Sequence, residues 1–167
     1  ALTKDGLWEE INLEMQIDEN SQGVGAITKQ NVFKFGGVEH ITAGTIAHEW
    51  IHLYQRYLGG VDVFDSSFSG MAEFEVALFQ DIVIYLGNKG KNLDRPTDGI
   101  SDTSSWTGNL ISVPGGNSIL EDYMTWLGEI CKDNKVPTAI DQASFMEWCK
   151  HFGTYSTYSR YLSLIHI

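Results

Sequence analysis

The chain has 167 residues, of which 43% are hydrophobic and 20% are charged, and its formal net charge is −11. This length and composition predict one globular domain over residues 1–167, and they exclude a disordered or repetitive chain. The acidic balance argues against nucleic acid and against an anionic membrane surface as partners, because both require clustered Lys and Arg.

The N-terminal part of the chain is predicted to contain a weak helix followed by two strands. Residues 1–20 carry a partial amphipathic stripe. Val24–Ile27 and Asn31–Phe35 are typical of a strand pair with its turn at residues 28–30. No apolar run approaches the length of a transmembrane helix, and the first residues lack the apolar core of a signal peptide. We therefore expect no membrane insertion, and the compartment stays open.

The next predicted helix carries the motif H-E-x-x-H, with His48 and His52 four residues apart. Residues at this spacing project from one face of a helix, so the two imidazoles can bind one metal ion. Glu49 lies on the flank of that face, where it can reach a water on the metal without ligating the metal. With one further ligand, this arrangement is an open tetrahedral zinc site that activates water. The motif predicts a zinc metallopeptidase that acts on a peptide or protein substrate.

The boundaries and faces of this helix follow from its neighbours. Thr42 is the predicted N-cap, and Gly59-Gly60 is predicted to end the helix. One face is expected to pack into the core and the adjoining face to carry the polar groups. The expected core residues are Ala47, Ile51, Tyr54 and Leu58, and the polar ones are Thr45, His48, His52 and Gln55.

A third ligand is available on the following helix, predicted over residues 71–83. Glu73 follows His52 with twenty residues between, which is enough for a loop and an antiparallel return. Glu75 lies about 200° further round the same helix, so both carboxylates cannot face one metal. The spacing favours Glu73. The apolar neighbours of Glu75 favour a special role for that residue instead, because a carboxylate in an apolar face needs a partner.

In this region the chain resembles the gluzincins, peptidases with H-E-x-x-H on one helix and a glutamate ligand on the next. The resemblance covers about Gly44 to Leu86 and includes the run Glu73-Phe74-Glu75-Val76-Ala77. It implies Zn²⁺ as the cofactor, His48, His52 and Glu73 as its ligands, and Glu49 as the catalytic general base. Glu75 would then be buried against a hydrogen-bonding partner. It also implies that the strand pair ahead of the motif helix holds an extended substrate; the alternative is a hairpin that only covers the core.

The chain departs from the gluzincin pattern at one position. Many gluzincins carry an aspartate one turn after the ligand glutamate, where it orients a ligand histidine, and Ala77 stands there in this chain. We expect Asp81, Gln55 or a backbone carbonyl to make this contact.

The C-terminal half is predicted to be a long polar loop followed by helices. The loop spans about residues 87–117, and its Trp106 and Ile111 are expected to anchor it either over a cleft or to the body of the protein. A capping box at Ser118 predicts a helix to Asn134. Asp141 is expected to cap a second helix that Gly153 ends.

Two further groups of residues have open roles. A tyrosine near the C-terminus is either an oxyanion donor or a cover for the core; the candidates are Tyr155, Tyr158 and Tyr161. Cys131 and Cys149 are either a disulfide or two buried free thiols.

The sequence as a whole predicts an α+β zincin-like domain with a small N-terminal sheet, an active-site helix, a glutamate helix behind it and a helical C-terminal part. Two other functions fit the same residues. The first is a catalytically degenerate zincin that keeps its metal and acts as a binding module. The second is a metal-free helical interaction domain in which the motif arose by chance. The sequence leaves the oligomeric state open.

Overall fold

The described part of the chain contains a small sheet and a helical body, which confirms the α+β class. The computed structural model describes residues 14–20, 25–28, 31–57, 66–87 and 106–155. The strands are β1 (Glu14–Ile17), β2 (Gly25–Ile27) and β3 (Val32–Phe35). The α-helices are α1 (Ala43–Tyr57), α2 (Ser66–Gly87), α3 (Trp106–Ser112), α4 (Asn117–Ile130) and α5 (Gln142–Tyr155). None of these helices is both long and apolar enough to cross a bilayer.

The described sheet has the strand order β1-β3-β2. Strands β2 and β3 form the predicted antiparallel hairpin, whose turn is closed by a 3.0 Å hydrogen bond from the Asn31 amide to the Thr28 carbonyl. Strand β1 pairs in parallel with β3, with Glu14 opposite Val32. The predicted helix is therefore wrong over residues 14–17, where backbone pairing rather than burial of the apolar stripe decides the structure. Residues 1–13 lie outside the described residues.

Helix α1 begins at its predicted cap but buries a different face from the predicted one. The Thr45 amide donates to Thr42 Oγ1 at 3.1 Å, which confirms Thr42 as the N-cap. Tyr54 is 46% exposed, and Ala47 and Ile51 are only half-buried. The buried residues of α1 are Gly44, Thr45, Glu49, His52, Leu53 and Gln55. The polar face is buried because its side chains bind partners on α2; Leu58 and Gly59-Gly60 lie outside the described residues.

The core of the helical body is an aromatic cluster shared by α2, α3, α4 and α5. Trp106 is fully buried at its centre, with its ring 4.6 Å from that of Tyr123, 5.7 Å from Phe74 and 5.6 Å from Phe152. Edge-on aromatic pairs at these distances add specific attraction to the burial of apolar area. A second, smaller cluster joins the sheet to α1 through Phe33, Phe35 and Leu53.

Trp106 therefore anchors its segment to the body of the protein, as one of the two predicted alternatives requires. The predicted loop over residues 87–117 is wrong at Trp106–Ser112, which form α3. The apolar Trp106 pairs with other rings, and this tertiary contact outweighs the polar composition around it. Residues 88–105 lie outside the described residues, and so does the side chain of Ile111.

The C-terminal helices differ from prediction at their ends. Helix α4 begins at Asn117 and ends at Ile130, and Ser118 Oγ bonds back to the Gly115 carbonyl, so the predicted capping box does not form. The Ser144 amide donates to Asp141 Oδ2 at 2.9 Å, which confirms Asp141 as the cap of α5. Gly153 lies inside α5 and is buried there, so it does not end the helix.

The structure describes one of the three candidate tyrosines and both cysteines. Tyr155 packs against the aromatic cluster and stacks on His151, as expected of a core cover; Tyr158 and Tyr161 lie outside the described residues. Cys131 and Cys149 are buried free thiols. Burial raises the pKa of both thiols, that of Cys149 to about 11, so neither is a reactive thiolate at neutral pH.

Asp81 is a fully buried carboxyl that ties α2 to α3 and α4. Its Oδ1 accepts from the Thr107 hydroxyl at 2.7 Å, and its Oδ2 accepts from the Tyr123 hydroxyl at 2.9 Å. Burial raises the pKa of Asp81 to about 6, although these hydrogen bonds act in the opposite direction. The folded protein therefore retains the Asp81 proton to a higher pH than the unfolded chain does.

This retained proton predicts a pH-dependent difference between the parent and Asp81→Asn. Between the ordinary pKa of 3.8 and about 6 the folded state binds more protons than the unfolded state. The contribution of Asp81 to the free energy of unfolding should therefore fall as pH rises, by up to about 3 kcal/mol. Urea unfolding of both proteins from about pH 4 to pH 7 measures this difference. A difference that does not change with pH would mean that Asp81 titrates normally.

Candidate metal centre

Helix α1 brings His48 and His52 together on its buried face. They are one turn apart, and their Nε2 atoms lie 3.1 Å from each other. The cap at Thr42 fixes the start of the helix, and Leu53 on the neighbouring face anchors α1 in the smaller core cluster. Both imidazoles are thereby directed at α2 rather than at bulk solvent.

Helix α2 supplies the carboxylate that meets these imidazoles, and it is Glu73. Glu73 Oε2 lies 3.2 Å from His48 Nε2, and Glu73 Oε1 lies 3.5 Å from His52 Nε2. One ligand atom from each of the three residues can be chosen so that all lie within 4.8 Å of one another. The spacing argument for Glu73 thus agrees with the geometry.

The donor distances are close to those around a tetrahedral ion of the size of zinc. Zinc bonds to His nitrogen and carboxylate oxygen of about 2.0–2.2 Å place neighbouring ligand atoms about 3.3–3.5 Å apart. The two ring nitrogens lie 3.1 Å apart, and each lies 3.2 or 3.5 Å from a different oxygen of Glu73. A set with one atom from each residue lies within 4.8 Å, so a small rotation of the carboxylate would bring one oxygen to both rings.

The charges of the group favour cation binding at Glu73 and oppose it at His52, whose ring must lose its proton before it can bind a metal. Burial raises the pKa of Glu73, but hydrogen bonds and positive charge from His48 and His52 outweigh burial and hold that pKa well below its usual range. Burial lowers the pKa of His52, but Glu73, Glu49 and Gln55 outweigh it and raise the net value. Glu73 is thus an ionised carboxylate, the form that binds cations.

Glu49 lies beside the group without joining it. Its residue is 4% exposed, and its negative charge is one of those that raise the pKa of His52. The three residues that could together hold a metal ion are His48, His52 and Glu73. Glu49 is buried close enough to His52 to act on its charge, and the sequence motif alone could not show this burial.

Gln55 makes the contact that orients His52, one of the three partners expected to do so. Its Oε1 lies 2.8 Å from His52 Nδ1, and its Nε2 donates to the Ala72 carbonyl at 3.0 Å and to Glu75 Oε2 at 2.6 Å. Asp81 was the wrong candidate, because Thr107 and Tyr123 bind its carboxyl group.

Glu75 has the expected hydrogen-bonding partner, but the expectation that it is buried is wrong. Its side chain is exposed and lies at the wall of an apolar groove of about 1260 Å³ between α1, α2 and residues 136–145. Phe79 and Ile82 of the same helix line this groove beside Glu75, so the carboxylate is not enclosed in a core. Periodicity could not distinguish a groove from a core, because both present the same apolar stripe. The exposed apolar residues of the groove are Trp50, Tyr54, Phe79 and Val136.

Comparison of the chain with protein-family models, with curated proteins and with solved structures finds no match.

The geometry predicts different consequences for the two glutamates when each is changed to glutamine. Glu73→Gln should weaken zinc binding roughly 100-fold or more, because a neutral amide oxygen is a poor substitute for a carboxylate ligand. Glu75→Gln should have a smaller effect, because glutamine at an exposed position keeps an acceptor for Gln55. Competition titrations with a chromophoric zinc chelator measure both affinities. Equal losses, or a larger loss at Glu75, would remove Glu73 from the ligand set.

Proposed function

We propose that this protein is a zinc-dependent peptidase that hydrolyses peptide bonds with water. The observation that carries the proposal is the convergence of His48, His52 and Glu73 at the contact of α1 and α2, with Glu49 buried alongside. Two histidines and one glutamate are a donor set of catalytic zinc sites, in which a fourth position stays open. Zinc in such a site supplies a Lewis acid that activates water and polarises a carbonyl group.

The exposure of the donors supports a catalytic rather than a closed structural site. The side chains of His48 and Glu73 are 18% and 17% exposed, while that of His52 is 9% exposed. One side of the group is therefore open to solvent, and a substrate can approach from there. A structural zinc site has four protein ligands and no open position, whereas three residues converge here among the described ones.

Glu49 is the proposed general base. It follows His48 directly in the chain, so helical geometry keeps its carboxylate near the metal ligands without placing it among them. We propose that Glu49 accepts a proton from the attacking water and passes it to the leaving amine. Its burial beside His52 limits competing hydration of its carboxylate.

The sheet supports an extended peptide as the substrate. Strand β2 is an edge strand of the described sheet and lies beside α1. An edge strand of this kind can add a peptide strand through backbone pairing. The small sheet, the motif helix and the glutamate helix together resemble a compact gluzincin, which is the fold family we propose.

The second candidate is a degenerate zincin that retains metal and acts as a binding module. The groove favours it, because it exposes Trp50, Tyr54 and Phe79 on faces of α1 and α2 that point away from the ligands. Exposed apolar surface of this kind is typical of interaction sites. Zinc content without cleavage of any peptide would favour this candidate over the peptidase.

The proposal predicts about one zinc ion per chain in protein purified without added metal. His52→Ala should lose the zinc, because one of the three ligands is removed. Excess zinc should then raise the thermal midpoint of the parent but not that of the variant. Elemental analysis and thermal unfolding with and without zinc measure both effects. Full zinc content in His52→Ala would refute the site.

Glu49→Gln should abolish peptide cleavage while zinc content and helicity stay close to those of the parent. The amide is almost isosteric with the carboxylate, but it cannot accept the proton. Cleavage of a peptide library, analysed by mass spectrometry for parent and variant at equal zinc loading, provides the test. Equal rates for the two proteins would exclude Glu49 as the base.

A further inference from the structure

We propose that Gln55 and Glu75 are positioning residues that lock His52 in its Nδ1–H tautomer and so direct the free Nε2 lone pair at the metal position. The lock is a property of the metal-free protein. Only its use in holding a metal ligand rests on the function proposed above.

The orientation of the Gln55 amide follows from its neighbours. The amide has two donor hydrogens on Nε2 and an acceptor oxygen, Oε1. The Ala72 carbonyl and the Glu75 carboxylate both lie at hydrogen-bond distance from Nε2, and both can only accept. The NH₂ group must therefore face them, which leaves Oε1 to face His52.

The tautomer of His52 follows in turn. Gln55 Oε1 has no hydrogen to give, and it lies 2.8 Å from His52 Nδ1. In the neutral ring two acceptors compete for the one hydrogen: Gln55 Oε1 at 2.8 Å from Nδ1 and Glu73 Oε1 at 3.5 Å from Nε2. Only the first lies within the usual hydrogen-bond distance, so Nδ1 carries the hydrogen and Nε2 carries the lone pair. It is Nε2 that lies 3.1 Å from His48 Nε2 and 3.5 Å from Glu73 Oε1. The tautomer that Gln55 selects is thus the one that a metal between these three residues requires.

Burial makes this selection strong. Gln55 is 2% exposed and His52 is 7% exposed, so water cannot readily replace a lost hydrogen bond between them. Glu75 provides the charged end of the chain of hydrogen bonds, and a charged acceptor strengthens the bond that fixes the amide. Gln55 and Glu75 together make the orienting contact to His52 that an aspartate at position 77 would otherwise make, since Ala77 has no polar group.

The same residues also set the spacing of the two helices at the site. The bond from Gln55 to the Ala72 carbonyl joins α1 to the backbone of α2 at the residue before Glu73. Gln55, which orients His52, is thereby fixed to α2 within one turn of Glu73, the carboxylate ligand.

Gln55→Leu tests the lock, and Gln80→Leu is its matched control. Gln80 is also a 2% exposed glutamine between the same two helices, where it donates to the Gly44 carbonyl at 3.3 Å, but it contacts none of the three ligands. Both changes remove a buried amide and its bond between α1 and α2. A merely structural role for Gln55 would therefore give the two variants the same behaviour.

Two readouts separate the variants. In the metal-free protein at alkaline pH, long-range proton–nitrogen NMR spectra should show His52 as the Nδ1–H tautomer in the parent and in Gln80→Leu. In Gln55→Leu they should show a mixture or the Nε2–H form. Zinc affinity should fall about 10–100-fold in Gln55→Leu, as is typical when an outer partner of a ligand is lost. It should stay close to that of the parent in Gln80→Leu.

A second variant keeps the test valid if Gln55→Leu does not fold. Glu75→Leu changes an exposed residue and removes the charged acceptor of Gln55 while the Ala72 carbonyl remains, so it should shift the tautomer in the same direction but less far. Glu75→Gln, which keeps an acceptor, should restore the tautomer of the parent.

The outcomes are distinct. The lock is overturned by a parent protein with His52 in the Nε2–H form, or by a Gln55→Leu variant that matches Gln80→Leu in both readouts. A parent with the Nδ1–H form that binds no zinc would refute the proposed function and would support the lock.

Discussion

The polar contact between α1 and α2 is the constraint on which the other features of this protein depend. His48 and His52 face Glu73 across it, and Gln55 binds the Ala72 carbonyl beside them. Buried charged and polar groups are costly unless they are paired. Since these groups pair with one another, the polar face of α1 is buried, and its apolar face is left to line the groove.

Each helix at this contact has its own anchor. Leu53 holds α1 to the sheet through Phe33 and Phe35, and Phe74 holds α2 to the aromatic cluster of the C-terminal helices. Asp81 fastens α2 further along its length through Thr107 and Tyr123. The ligand-type residues thus lie on two helices, each packed into its own core cluster, which suits a site that needs fixed geometry.

Much of the candidate site could be predicted from local spacing. The interval of four residues in the motif selects His48 and His52, because residues four apart share one face of a helix. The segment after His52 is long enough for the next helix to return antiparallel to the first, which selects Glu73. Thr42 and Asp141 were found as caps for the same local reason. Tertiary partners decided the rest: parallel pairing made residues 14–17 a strand, and burial of Trp106 made α3 a helix. The exposure of Glu75 depends on an open groove that an apolar stripe does not reveal.

The two core clusters lie on either side of the contact between α1 and α2, and this division has a consequence for local unfolding. Among the described residues the cluster at the sheet has three buried members, whereas the cluster of the helical body has thirteen. The sheet and α1 are therefore a candidate for a sub-global opening, in which they separate from the helical body before that body unfolds. An ion bound between α1 and α2 would bind the closed form alone and slow this opening. Amide hydrogens of β3 and α1 would then exchange with solvent more slowly, although none of them touches the ion.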